Sequence, residues 1–266
     1  VYDLLPITIP QHCDPVMPPV FRAWLEHVIP RSDGFVCISE ATRQDLESFI
    51  DQTIQPAARR PWTRSLHLGS DLESGRASEP TENTVGVCQK LADRPWLLAL
   101  GTVEPRKDYA TILAAYERLW AQDVDVGLII IGKQGWNVDS FAGKLRSHPE
   151  QGRRLFWLEG ASDGDVHYAL TRATALVQAS IAEGFGLPVV EAGSLGIPLV
   201  LSDIPVFREI AGDEAAYFES GAPAALAAVL ADAIRTNGWK RPERIRTMTW
   251  RQSSAKLARL LLMNSA

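Results

Sequence analysis

The chain has 266 residues, 46% of them apolar and 22% charged, and a formal net charge of −5. That length allows one large α/β domain or two smaller ones. No Lys/Arg block supplies a nucleic-acid footprint, and no apolar run approaches the ~18 residues of a membrane span. The three cysteines, Cys13, Cys37 and Cys88, are too few and too scattered for a disulfide framework or a zinc site, which favours a reducing compartment.

Taken in order, Val1-Tyr2-Asp3-Leu4-Leu5-Pro6 reads as the middle of a strand and loop, and the start at Val1, without a signal peptide, reads as an interior cut in a longer chain. Residues 21–29 form a helix candidate. Phe35-Val36-Cys37-Ile38-Ser39 is a strand with Cys37 in the core, and Ser39 is suited to cap a helix from Glu40 to about Ile50. Residues 1–68 are too little to close a sheet. Residues 69–94, rich in Ser, Glu, Thr, Asp and Gly, read as a linker.

From residue 95 the pattern becomes regular. Buried strands are expected at 96–102, 126–132, 155–161, 174–180, 198–203 and 215–219. Between them lie helical stretches. In DYATILAAYERLW, for instance, Ile112, Leu113, Tyr116, Leu119 and Trp120 share one face. Alternating strands and helices predict a parallel sheet covered on both sides, with ligands at the carboxyl ends of its strands. Residues 250–262 are expected to be an amphipathic helix whose apolar candidates are Ala255, Leu257, Ala258, Leu261 and Leu262.

Two loops carry chemistry. GTVEPRKD (101–108) follows a strand and precedes a helix. Arg106 and Lys107 there sit at the positive end of a helix dipole, unfavourable for cations unless an anion such as phosphate joins them. The plain alternative is two solvated charges with Asp108 as N-cap. EGFGLPVVE (183–191) sets two carboxylates around a glycine turn. Gly184 and Gly186 allow backbone amides to approach a ligand, and Pro188 suits a first helical turn. Glu183 and Glu191 can then face one cleft and accept hydrogen bonds from paired sugar hydroxyls. The plain alternative is a loop glutamate and a glutamate at a helix start.

EGFGLPVVE resembles the two-glutamate motif of retaining glycosyltransferases of the GT-B fold, especially glycosyltransferase family 4. GTVEPRKD is similar to that family's pyrophosphate loop, LEGASDGDVHYALTRATALVQAS to its segment beside the nucleobase, and FVCISEATRQDL to the end of its N-terminal domain; LSDIPVFREIAG also fits. The resemblance implies an α/β chain of GT-B type. Residues 1–68 would end an N-terminal acceptor domain, 69–94 link, 95–245 form a complete Rossmann-like donor domain, and 246–266 cross back. It implies that Glu191 holds the ribose, Glu183 the hexose, and Arg106 and Lys107 the diphosphate. Gly101 and Thr102 would lie in the same loop. Amides at Gly184, Phe185, Gly186 and Leu187 would support phosphate and sugar. Glu159, Gly160, Ala161 and Ser162 would lie near the base. Tyr2, Asp3, Ser39 and Glu40 are the acceptor-side candidates.

Many relatives have His-Asp where this chain has Tyr2-Asp3, and Tyr-Asp-x-x-Pro resembles bacterial polysaccharide mannosyltransferases. The implied reaction transfers a hexose, with mannose from GDP-mannose favoured, to a saccharide or lipid-linked saccharide in polysaccharide or O-antigen synthesis. The implied place is the cytoplasm, or the inner face of the membrane through surfaces of the N-terminal domain. The isolated fragment is expected to be inactive. A nucleotide-sugar-binding fragment without turnover and a GT-B nucleotide-sugar epimerase are the open alternatives. No cofactor, metal or nucleic acid is expected. Asp163 and Asp165 read as helix caps, Asp123 and Asp125 fall at the amino end of a strand, and His12, His27, His67, His148 and His167 lack ligand spacing.

Overall fold

A computed structural model describes residues 1–53, 60–70, 78–243, 245 and 248–263. The chain begins with α1 (Leu5–Thr8), α2 (Met17–Val28), β1 (Gly34–Cys37), α3 (Glu40–Thr53) and β2 (Trp62–Ser65). Strands β1 and β2 pair in parallel. A small core of Leu4, Leu25, Ile29, Phe35, Cys37, Leu46, Phe49 and Ile50 holds this unit together. Ser39 caps α3 as expected, accepting the Thr42 N–H at 3.0 Å. Burial pushes the Cys37 thiol up to about 11.

The opening residues differ from the strand-and-loop expectation. Val1 does lie beside β1, its carbonyl accepting the Ile38 N–H at 3.1 Å. After Leu4 the chain turns into α1, because the Asp3 carboxylate accepts the Leu5 N–H and Pro6 occupies a position where a helix needs no amide donor.

The larger unit starts earlier than residue 95. Helix α4 (Glu82–Lys90) lies inside the expected linker, capped by Thr81, with Val87, Cys88 and Leu91 buried in the main core. Residues 71–77 of that stretch lie outside the described residues. There follow β3 (Trp96–Leu100), α5 (Tyr109–Ala121), β4 (Gly127–Ile131), α6 (Asp139–Arg146), β5 (Leu155–Leu158) and α7 (Asp163–Leu170). The unit continues with β6 (Ala175–Gln178), α8 (Leu187–Ser194), β7 (Leu199–Ser202), α9 (Pro205–Ala211), β8 (Ala216–Phe218) and α10 (Pro223–Thr236).

The six strands β3–β8 are all parallel, in the order β5-β4-β3-β6-β7-β8. Because side chains alternate along a strand, Leu98, Ile129 and Leu176 join the core on one face with α4, α7, α8 and α9. Leu97, Leu128 and Val177 join the core on the other with α5 and α10. The order reverses between β3 and β6, and in such sheets ligands bind in the crevice beyond the carboxyl ends at that reversal. GTVEPRKD leaves β3 and EGFG follows β6, so both loops reach it.

Helix α11 (Trp250–Met263) returns to the small unit. Ser253 is buried and donates its hydroxyl to the His67 carbonyl at 2.8 Å. The apolar residues expected to be covered are not. Leu257, Leu261, Leu262, Ala255 and Ala258 are exposed, with Leu257 and Leu261 edging a shallow groove against Arg31–Gly34, Val36 and Trp62. No described helix is long and apolar enough to cross a membrane.

Candidate functional site

The loop after β3 makes a 3-10 turn at Pro105–Lys107 and then caps α5 with Asp108, whose carboxylate accepts the Thr111 N–H at 3.1 Å. Asp108 is thus the expected N-cap. Gly101 closes β3, and its carbonyl accepts the Tyr109 hydroxyl at 2.6 Å. The Ile181 N–H donates to the Arg106 carbonyl at 2.8 Å, which binds this loop to the one after β6.

That pairing brings three charges into one cluster. The Glu183 side chain is only 8% exposed. Its Oε2 accepts from the Arg106 guanidinium at 2.7 Å, and its Oε1 accepts from Lys107 Nζ and from the Ser180 hydroxyl at 2.8 Å. Arg106 also pairs with Glu104 at 2.6 Å. Burial pushes the Glu183 carboxyl up, but Lys107 and Arg106 outweigh it, and the group is held below the usual carboxylate range. Three donors fill three of the roughly four acceptor positions of a carboxylate, leaving one on Oε2. The resemblance assigns the cations to the diphosphate and Glu183 to the hexose; the structure joins the three side chains.

The glycine loop is held from several sides. A Cβ on Gly184 would stand 2.2 Å from the Tyr2 carbonyl oxygen, so only glycine admits the Tyr2-Asp3 backbone there. The Gly184 carbonyl accepts from Ser39 Oγ at 2.7 Å, with Thr42 Oγ1 at 3.2 Å. Gly186 has φ 94°, in the left-handed region that glycine tolerates best, and a Cβ there would meet the Phe207 ring at 2.9 Å. The Phe185 side chain is buried in the core, 5.3 Å from the His67 ring between centroids. Leu187 opens α8 and is half-buried.

Glu191 lies within α8, half-buried, and makes no side-chain hydrogen bond or ion pair among the described residues. Burial and the nearby Asp163 raise its carboxyl above the usual range. Ser162 caps α7: its hydroxyl and amide both meet Asp165, which also takes the Thr81 amide and hydroxyl. Those groups of Ser162 are therefore committed within the fold; the cap is Ser162 itself, with Asp163 as the first helical residue and Asp165 as its capping-box partner in the first turn, rather than either aspartate as the cap. Gly160 and Ala161 lie in the connecting turn, and Thr102 in the loop beyond β3.

Among the acceptor-side candidates, Ser39, the Tyr2 carbonyl and Asp3 Cβ lie against the glycine loop, while the Tyr2 side chain is exposed. The Glu40 carboxylate is occupied by Arg43 and Ser65 and does not join the cluster. Sequence reasoning missed Ser180, Glu104, Thr42, His67 and Glu209. Ser180, three residues before Glu183, has a spacing that could show it; Glu209 lies in LSDIPVFREIAG, which fits the family, but on a distant helix with no spacing that ties it to this site.

A family model described as glycosyl transferases group 1 matches residues 86–249. The chain is 37% identical to the serotype-specific mannosyltransferase WbdA of Escherichia coli, over 99% of this chain and 33% of that protein. It is 32% identical to the O-antigen chain mannosyltransferase B of Escherichia coli, over 57% of this chain and 40% of that protein. The chain thus spans about a third of the length of the WbdA relatives it matches. Anabaena Alr3699/HepE, solved with UDP and glucose, superposes with a TM-score of 0.73 at 16% identity, covering 98% of this chain and 70% of that one. Sucrose-phosphate synthase from Thermosynechococcus elongatus superposes with a TM-score of 0.69 at 17% identity, covering 97% and 64%. The fold is of the GT-B type these neighbours share, and the chain belongs to the glycosyl transferases group 1 family.

Proposed function

We propose that this chain carries the donor site of a retaining mannosyltransferase acting in O-antigen or related polysaccharide synthesis. The observation that supports it most is the Glu183–Arg106–Lys107 cluster at the sheet's reversal point, in a chain similar to mannosyltransferases along nearly its whole length. Arg106 and Lys107 meet the donor diphosphate, Glu191 the ribose hydroxyls, and the turn at Gly160–Ala161 the base, with GDP-mannose as donor. Glu183, held ionised, offers its remaining acceptor position to the hexose and is a poor proton carrier.

In this reading the bond from the anomeric carbon to the phosphate oxygen breaks, and a saccharide hydroxyl oxygen bonds that carbon on the same face. The hydroxyl's proton passes to the departing phosphate. The two cations and the glycine-loop amides stabilise charge growing on the leaving group. The acceptor is a saccharide or a lipid-linked saccharide, met from the side of Tyr2, Asp3 and Ser39, in the cytoplasm or at the inner face of its membrane.

Calorimetric titration with GDP, UDP, ADP and dTDP, followed by the sugar form of the tightest binder, tests the reading. GDP should bind most tightly, and Arg106→Ala should weaken GDP far more than guanosine, since only the former presents the anion. Equal losses for both ligands, or no binding of any nucleoside diphosphate, would reject it.

A further inference from the structure

One carboxylate outside the cluster ties together elements that hold the glycine loop. Glu209, on α9 and 17% exposed at its side chain, accepts the Glu40 N–H at 2.8 Å on Oε1 and the Ala41 N–H at 3.0 Å on Oε2. These are first-turn amides of α3, which lack helical partners and attract an anion. His67 Nε2 lies 2.6 Å from Oε1. Burial pushes the Glu209 carboxyl up, but the bonds from His67 and the two amides hold it below the usual range, so it acts as an anion.

Each partner of Glu209 in turn grips the loop. The start of α3 presents Ser39 and Thr42 to the Gly184 carbonyl, and the His67 ring lies against Phe185. The helix that carries Glu209 supplies Phe207, which meets the loop at Gly186. Three consecutive loop residues beside Glu183 are thus fixed by groups that converge on α9. Ordinary helix capping would need only the two α3 amides; it does not call for a histidine that also packs on the loop.

We infer that Glu209 is a positioning residue for the donor site: its carboxylate locks α3 and His67 against residues 184–186, and so sets where the glycine loop and Glu183 meet the donor sugar. The inference rests on the donor reading above only for the identity of the ligand. Diphosphate contacts through the Arg106 and Lys107 side chains do not pass through α3, whereas the glycine loop meets both phosphate and sugar, so loss of Glu209 should weaken the sugar-bearing ligand more than the bare diphosphate.

The test compares wild type, Glu209→Ala, Glu209→Gln and Arg208→Ala. Arg208→Ala removes the neighbouring side chain on the same helix, which pairs with Asp203 and stacks on Tyr217, and controls for general disturbance of α9. Hydrogen exchange in the ligand-free chain should rise about tenfold or more in Glu209→Ala, as expected for loss of charged hydrogen bonds, over the first turn of α3 and residues 181–190 together. Glu209→Gln, which keeps one acceptor oxygen, should be intermediate, and Arg208→Ala unchanged. By calorimetry, the ratio of GDP-mannose to GDP affinity should fall about tenfold in Glu209→Ala and stay unchanged in Arg208→Ala. Exchange rising only in α3, or an unchanged affinity ratio despite a loosened loop, overturns the inference. Where Glu209→Ala does not fold, the Glu209→Gln and Arg208→Ala pair decides on the same readouts. If wild type binds neither nucleotide the donor reading fails, and the exchange data still judge Glu209 by themselves.

Discussion

At Glu183 a carboxylate serves two cations that are themselves assigned to an anion, so its removal has two consequences of opposite sign. Glu183→Gln leaves Arg106 and Lys107 as neighbouring, largely buried like charges, with Arg106 still paired to Glu104. Breaking one partner from a buried pair costs about 3 kcal/mol at the low end, and Gln still accepts the Ser180 hydroxyl, so the low end applies. The same change removes a negative charge beside the diphosphate. GDP should therefore bind more tightly to Glu183→Gln than to wild type, and should raise its melting temperature by more, while the extra affinity from the mannosyl group is lost. A thermal-shift titration with GDP and GDP-mannose reads all three; a smaller GDP shift in the variant would place the diphosphate away from the cluster. Glu191 predicts a pH effect. Its carboxyl is raised by burial and Asp163, so ionisation is costlier in the folded chain. Its stabilising contribution is present below the unfolded value and is lost as pH rises through the raised one. Ribose hydroxyls prefer the ionised form, so GDP affinity should grow across that same window, from the ordinary glutamate value upward through the raised one. Comparing wild type with Glu191→Gln at each pH isolates this from ionisation of the ligand; identical pH profiles would remove Glu191 from the site. The two glutamates and the two cations were legible as residues because motif spacing names them. That Glu183 partners the two cations was not, since the contact spans two strands adjacent only in the folded sheet.

The elements that escaped sequence reading did so for specific reasons. Strand β2 is four residues, Trp62-Thr63-Arg64-Ser65, with no apolar run; it exists because β1 offers it a parallel edge. Helix α4 sits in a polar stretch, and its few apolar residues, Val87, Cys88 and Leu91, acquire meaning only once the face of the large sheet is there to bury them. Fully burying one such aliphatic side chain contributes roughly 1.5–3 kcal/mol, enough to overrule a composition that reads as linker. The strands β3–β8, by contrast, were legible because strands buried on both faces are nearly continuous apolar runs. Helix α4 is held to α7 at a tight point: a Cβ on Gly164 would stand 1.6 Å from the Ser78 carbonyl oxygen, and Asp165 takes the Thr81 amide at 2.7 Å. Gly164→Ala should therefore push residues 78–81 off α7 and loosen α4. Exchange should accelerate through residues 82–90 while β3, β4 and β6 stay protected. Unchanged exchange in α4 would show that its apolar contacts alone suffice.

Across the whole molecule, two units of unequal size share one seam, crossed among the described residues by the Gly184 contacts, the His67–Phe185 contact, the Glu209 carboxylate and the return of α11, besides apolar packing of Ile38, Ala41 and Leu68 on the main core. The return of α11 is the separable one. Helix α11 meets the small unit through Ser253 on the His67 carbonyl and through the close approach of Trp250 to Gly69, where a Cβ would lie 2.4 Å from the Trp250 backbone. Most of its apolar stripe stays exposed, so its contribution comes from these anchors and the groove edged by Leu257 and Leu261. The proposed diphosphate, ribose and base contacts fall between residues 101 and 191, all in the large unit. Ending the chain after Thr249 should then separate the two properties. Exchange should quicken in β1, β2 and the first turn of α3, while the six-stranded sheet keeps its protection and GDP affinity stays within about twofold, since the two sites share no partner. GDP-mannose should lose more than GDP, because the loop gripped by Ser39 and His67 lies at the seam. A truncated chain that loses protection uniformly would mean that the two units fold as one cooperative body. One that binds GDP-mannose as before would show that the seam does not govern the sugar subsite.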